Sequence, residues 1–151
     1  MGQKIAGSRL IAQNKKARHE YEILETLEAG MALMGSEVKS LREGKVSFKD
    51  SYVRFAGDGA VLVGLYISPY VHAVHTGHEP ERERRLLLHK HQINAWTGKT
   101  AQKGLTVVPL RLYWKGGRAK VELALAKGKK THDQREDLKR RAVERDLARG
   151  E

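Results

Sequence analysis

Two short stretches set cations beside a flat polar group: Asn14-Lys15-Lys16-Ala17-Arg18-His19 and Lys127-Gly128-Lys129-Lys130-Thr131-His132. Ammonium and guanidinium groups neutralise phosphates, and amide or imidazole planes meet unstacked bases, so both stretches read as nucleic-acid contacts. His72, His75 and His78 offer a different chemistry. They recur every third residue ahead of Glu79, with His89 and His91 nearby, and such a cluster can supply metal ligands. The spacing lacks the i, i+4 geometry of a helical histidine pair, and exposed loop histidines account for it more simply. Gly98-Lys99-Thr100 ends like a phosphate-binding loop, yet the glycine that such a loop requires would fall at position 93, which is Ile93. There is no Gly-x-Ser-x-Gly elbow, and no cysteine to act as nucleophile, thiolate ligand or disulfide partner. The expectation is a noncatalytic binding protein with no metal and no cofactor.

Charge supports that direction. The chain has 151 residues, one domain's worth, with 29 Lys+Arg against 18 Asp+Glu and a net charge of +11. The excess is segregated. Residues 1–18 hold five basic side chains and no acid, and residues 84–130 hold twelve basic side chains against Glu122 alone. A field concentrated in this way suits a polyanion. Without cysteine or a membrane-length apolar run, the chain is expected to be cytoplasmic, with no membrane partner, and monomeric.

The elements that must hold these residues follow from periodicity. His19 to Glu28 alternates as a half-buried strand that Gly30 stops, and Met34, Val38 and Leu41 make a helical stripe from Gly35 to Gly44. Tyr52, Val53 and Phe55 lead through Gly57-Asp58-Gly59 into a second strand placing Val61, Val63, Leu65 and Ile67 on one face, ended by Pro69. Residues 70–83 read as an exposed loop, and Arg84 to Gln102 as one long or two short helices that Gly98 breaks or kinks. Val108, Leu110, Leu112 and Trp114 alternate up to Gly116-Gly117, and Ala119, Val121, Leu123 and Leu125 alternate after it, the clearest hairpin in the chain. The fold expected is mainly β with peripheral helices, an OB-like antiparallel barrel over residues 1–130. Residues 131–151 differ. Thr131-x-x-Gln134 is a capping-box pattern, and Glu136 with Arg140 and Asp137 with Arg141 are helix-stabilising pairs, but Leu138, Ala142 and Leu147 form a thin apolar face. That tail is expected to be disordered when free and helical on binding.

These residues also carry a likeness. Asn14-Lys15-Lys16-Ala17-Arg18-His19-Glu20-Tyr21, Gly35-Ser36-Glu37-Val38-Lys39-Ser40-Leu41-Arg42-Glu43-Gly44-Lys45, Asp50-Ser51-Tyr52, Arg84-Arg85-Leu86-Leu87-Leu88, Leu112-Tyr113-Trp114-Lys115 and Ala126-Lys127-Gly128-Lys129-Lys130-Thr131-His132-Asp133 occur in this order. The chain thereby resembles the bacterial SsrA-binding protein family, small protein B, over nearly its whole length. The resemblance implies an adaptor that binds the tRNA-like domain of transfer-messenger RNA (tmRNA, SsrA RNA) and carries it to stalled ribosomes for trans-translation. It implies an RNA grip at Asn14, Lys15, Arg18, Glu28 and Leu87. It further implies that Lys127, Lys129, Lys130 and Arg135 meet phosphates of small-subunit ribosomal RNA in the empty mRNA channel, with His132 stacking on a decoding-site base. Gln134 stands where that family usually has a lysine, and the end at Glu151 implies a short tail helix. A general OB-type RNA chaperone and a histidine-dependent metalloenzyme are the competing readings.

Overall fold

The computed structural model describes residues 8–70, 77–102 and 104–128. In chain order these form β1 (Ser8–Gln13), α1 (Lys15–Glu20), β2 (Tyr21–Met31), α2 (Gly35–Arg42), β3 (Val46–Ser47), β4 (Tyr52–Ala56), β5 (Gly59–Val63), β6 (Tyr66–Ile67), β7 (Arg84–Leu87), α3 (Lys90–Thr100), β8 (Leu105–Lys115) and β9 (Arg118–Gly128). Seven strands make one antiparallel sheet in the order β1-β8-β9-β2-β7-β5-β4, and β3 pairs with β6 apart from it. Because β4 comes back against β8, the sheet curls into a barrel around Leu62, Leu86, Leu112, Val121 and Leu123, as the OB-like reading expects. Trp96 of α3 and Leu41 of α2 pack on the same core.

The last hairpin forms as its pattern requires. Gly116 and Gly117 turn with φ of +60° and +75°, a backbone that two glycines adopt without strain, and Lys115 faces Arg118. The alternation is not uniform, however. A register shift between Pro109 and Arg111 inserts a bulge and reverses the phase of β8 upstream of it. Leu112 therefore faces the barrel, whereas Val108 and Leu110 face a second small core with Ala17, Ala124 and Ala126. The uniform face expected from Val108 to Trp114 is corrected accordingly.

Other boundaries also move. The strand expected from His19 to Glu28 runs from Tyr21 to Met31 and passes through Gly30, which has Leu87 on one side and Lys120 on the other. His19 belongs to α1 instead. Gly64, at φ +86°, separates β5 from β6 and shifts the inward face, so that Leu62, Leu65 and Ile67 are buried while Val61 and Val63 are half-buried. Arg84 to Leu87 is strand, not helix, and α3 begins only at Lys90 and runs past Gly98. The cause lies in Arg84. Arg84 and Leu86 point inward and Arg85 and Leu87 outward, so one inward position of this strand carries a charge that an apolar pattern cannot reveal.

That charge is fully engaged. Arg84 donates from Nε to Glu37 Oε2 at 2.7 Å and from its terminal nitrogens to the carbonyls of Leu65 and Pro80. Glu37 also accepts from Arg82 and from the backbone N–H of Met34. His78 bridges Ile67 O at 2.8 Å and Ser36 Oγ at 2.9 Å, and Ser40 donates to Ser68 O at 2.7 Å. The described part of the expected exposed loop is therefore tied down: His78 is buried, and Arg82 reaches into the cluster. Burial pushes the Glu37 carboxyl up, but the N–H groups of Arg82, Met34 and Arg84 together hold it below the ordinary glutamate value. Burial pushes the Arg84 guanidinium down against the opposing pull of Glu37.

Candidate nucleic-acid interface

Asn14 sets the site. Its Oδ1 caps α1 by accepting from Ala17 N at 3.1 Å, and its Nδ2 donates to Pro109 O at 2.8 Å. Its backbone N–H donates to Leu110 O at 2.7 Å, so one residue takes the two carbonyls at the β8 bulge and starts the helix. Ala17 then fits against Val108, Leu110, Ala124 and Ala126, which seats α1 on the outer face of β8 and β9. Lys15 is exposed, and Arg18 lies 3.7 Å from Glu122 on β9.

The strands continue the same face. Glu28 on β2 lies opposite Glu122 on β9, which lies opposite Arg111 on β8. Arg111 holds Glu122 with two nitrogens, at 2.9 and 3.3 Å. Glu28 Oε2 accepts from Tyr113 OH at 2.6 Å and from Lys115 Nζ at 3.2 Å. The Tyr113 hydroxyl, with Lys115 and Lys120, keeps Glu28 below its ordinary value, whereas burial and Glu28 push the Tyr113 phenol up. Neighbouring residues make another row: Leu87 lies opposite Gly30, Gly30 opposite Lys120, and Lys120 opposite Tyr113. A Cβ on Gly30 would sit 3.3 Å from Leu87 Cβ and 3.6 Å from Lys120 Nζ, so the absent side chain lets an alkyl group and an ammonium share one spot. Leu87 is 52% exposed, an apolar side chain presented to solvent among charges.

Asn14, Lys15, Arg18, Glu28 and Leu87 thus come together on one curved face. Asn14 is a positioning residue there, since both ends of its amide already bond the protein. The face also holds Arg111, Tyr113, Lys115, Lys120 and Glu122, to which sequence reading assigned no role. Their signal was present in the register that Gly116-Gly117 imposes, because pairing Lys115 with Arg118 aligns Tyr113 with Lys120. Charge, hydrogen-bonded carboxylate and exposed alkyl group suit a shaped RNA surface better than a bare phosphate track.

The remaining candidates fall elsewhere. Lys127 lies at the end of β9 opposite Glu22, while Lys129, Lys130, His132 and Arg135, with the whole tail 131–151, lie outside the described residues, as do His72 and His75. Lys99, from the phosphate-loop lookalike, sits in the last turn of α3 and bonds Glu25 at 2.6 and 2.8 Å. Among the described residues no helix is long and apolar enough to cross a membrane.

Comparison with known proteins converges on one family. The SmpB protein family matches residues 11–150. The SsrA-binding protein of Solidesulfovibrio magneticus is 60% identical over 99% of this chain and 97% of its own length, and that of Aquifex aeolicus is 56% identical over 92% and 89%. A solved structure, described as "tmRNA-SmpB: a journey to the center of the bacterial ribosome", superposes with a TM-score of 0.68 at 54% identity, covering 79% of this chain and 84% of that one. An antiparallel barrel, a capped basic helix on its flank and nearly full-length identity lead to the same place: the chain belongs to the SmpB family of SsrA-binding proteins.

Proposed function

We propose that this protein is a noncatalytic RNA-binding adaptor of the bacterial cytoplasm that binds the tRNA-like domain of tmRNA and delivers it to stalled ribosomes for trans-translation. Membership of a family named for SsrA binding supports this reading. The observation that carries it on this chain is the convergence of Lys15, Arg18, Glu28 and Leu87 on one outer face, fixed by the Asn14 cap. In this reading the cations position phosphates, Leu87 packs on sugar or base, and Glu28 accepts from 2′-hydroxyl or amino groups. The tail 131–151, with His132 and Arg135, folds in a vacant mRNA channel, while Lys127 at the end of β9 and the adjoining Lys129 and Lys130 meet phosphates at its mouth, so occupancy of that channel decides docking.

Competition binding separates an adaptor from a general single-strand chaperone. A folded tRNA-like RNA is expected to displace an unstructured oligonucleotide of equal charge, with a preference that persists as salt rises. Equal affinities at every salt concentration would leave only phosphate neutralisation and overturn the adaptor.

A further inference from the structure

Glu28 and Glu122 stand directly opposite each other on β2 and β9. Like charges so placed repel, and a sheet that keeps both must supply each with donors of its own. Glu122 has two cations, Arg111 at 2.9 and 3.3 Å and Arg18 at 3.7 Å. Glu28 is served differently. Its donors come from β8, two strands away, where adjacent strands lie about 4.7–4.9 Å apart. Tyr113 spans that gap, its hydroxyl donating to Glu28 Oε2 at 2.6 Å, and Lys115 donates to the same oxygen at 3.2 Å. A serine or threonine at position 113 would stop short over β9.

Tyr113 is only 3% exposed, yet it lies outside both apolar cores. Its place is on the outer face of β8, between Arg111 and Lys115 in the alternation, with Lys120 opposite on β9 and Leu10 opposite on β1. The two oxygens of Glu28 thereby become unequal. Oε2 takes both donors, whereas Oε1 takes none among the described residues, and the side chain is 37% exposed. A carboxylate has about four lone-pair sites, so Oε1 keeps its full capacity for an incoming O–H or N–H. The Tyr113 hydroxyl is the foremost cause that holds Glu28 below its ordinary value, ahead of Lys115 and Lys120, and burial followed by Glu28 pushes the phenol up, so Tyr113 stays a donor. Its neutrality matters as well. An arriving phosphate draws ammonium groups such as Lys115, which is 45% exposed, but exerts no such pull on a phenol. Tyr113 is thus the anchor that remains on Oε2 when Lys115 turns to the RNA backbone.

We propose that Tyr113 is a positioning residue for RNA recognition, which fixes Glu28 through Oε2 and so presents Oε1 as a preset acceptor for a 2′-hydroxyl or base amino group. This role rests on the proposed RNA binding by the same face. Affinity of the full chain for folded tRNA-like RNA is to be measured in Tyr113→Phe, in Glu28→Ala and in the two combined. Phenylalanine keeps the ring and removes only the O–H. Tyr113→Phe is expected to weaken binding about fivefold, the worth of one hydrogen bond, with the slope of log affinity against log salt unchanged because no cation is lost. Added to Glu28→Ala, the same change should alter affinity by less than about twofold, since Tyr113 acts through that carboxylate. In the free protein, NMR titration of the Glu28 carboxyl carbon should move up toward the ordinary glutamate value in Tyr113→Phe, a response that altered packing alone does not produce. Unchanged affinity in Tyr113→Phe, losses that add in the double variant, or an unmoved Glu28 titration would overturn the role. Each of these leaves intact a wild-type preference for tRNA-like RNA over an unstructured oligonucleotide, whereas loss of that preference strikes the adaptor reading itself, so the two failures are told apart.

Discussion

At Asn14 a single amide serves two masters, capping a helix and occupying a carbonyl 95 residues away in sequence. Removing it and removing its exposed neighbour should therefore look different. Asn14→Ala is expected to lose about 1 kcal/mol of capping and a further contribution from the stranded Pro109 carbonyl, lowering the Tm and weakening RNA binding by loosening α1. Lys15→Ala should leave the Tm nearly unchanged, within about 0.5 kcal/mol, while RNA affinity falls and the slope of log affinity against log salt shrinks by about 1. Thermal melts paired with salt-dependent binding distinguish them, and a Tm loss in Lys15→Ala equal to that in Asn14→Ala would contradict the assignment. The basic stretch was legible as a candidate contact because its residue types show their chemistry directly. The structural duty of Asn14 was not, since its partner lies on a distant strand and depends on a bulge.

Between the elements, the Glu37–Arg84 pair joins α2 to β7 with both side chains buried. Removing one partner of such a pair typically costs about 3–5 kcal/mol, because the other charge stays buried and unmatched. Glu37→Gln is expected to destabilise strongly, and Arg84→Met more than a surface substitution such as Arg85→Met. The pH dependence has a definite sign. The folded Glu37 lies below its unfolded value of roughly 4.3, so between the two the unfolded chain binds a proton that the folded chain does not. Its contribution is complete above the unfolded value and is lost as pH falls through the folded one. Melting temperatures taken across that acid range should drop in the wild type and drop less steeply in Glu37→Gln; identical slopes would assign the acid loss to other groups. This pair also explains why β7 escaped sequence reading. A four-residue strand with arginine at an inward position shows no alternation of apolar residues, whereas the β8–β9 hairpin, with eleven residues on each side and a glycine turn, announces itself. The helix of α2 was likewise legible, but not its inward face, which is Glu37, Ser40 and Leu41 while Met34 of the expected stripe is exposed, nor the phase reversals at Gly64 and Pro109, because these are chosen by tertiary fit rather than local preference.

For the molecule as a whole, the barrel and the tail are expected to divide the work. Deleting residues 131–151 should leave affinity for tRNA-like RNA largely intact and abolish tagging of stalled products; a parallel loss of both in binding and tagging assays would make the tail part of the RNA grip. The antiparallel barrel with peripheral helices was legible from periodicity alone, and most of the candidate face emerged only once strands distant in sequence lay side by side. The position of β9 has a mechanical consequence. It runs between β8 and β2, bonded along both edges up to the residues that face Leu105 and Tyr21. A pull on the polypeptide beyond Gly128, directed along the strand, loads the cross-strand bonds of two ladders in shear at once instead of unzipping them singly. Whatever grips the chain past that point therefore pulls against both neighbouring strands together before the body to which it is fastened can open.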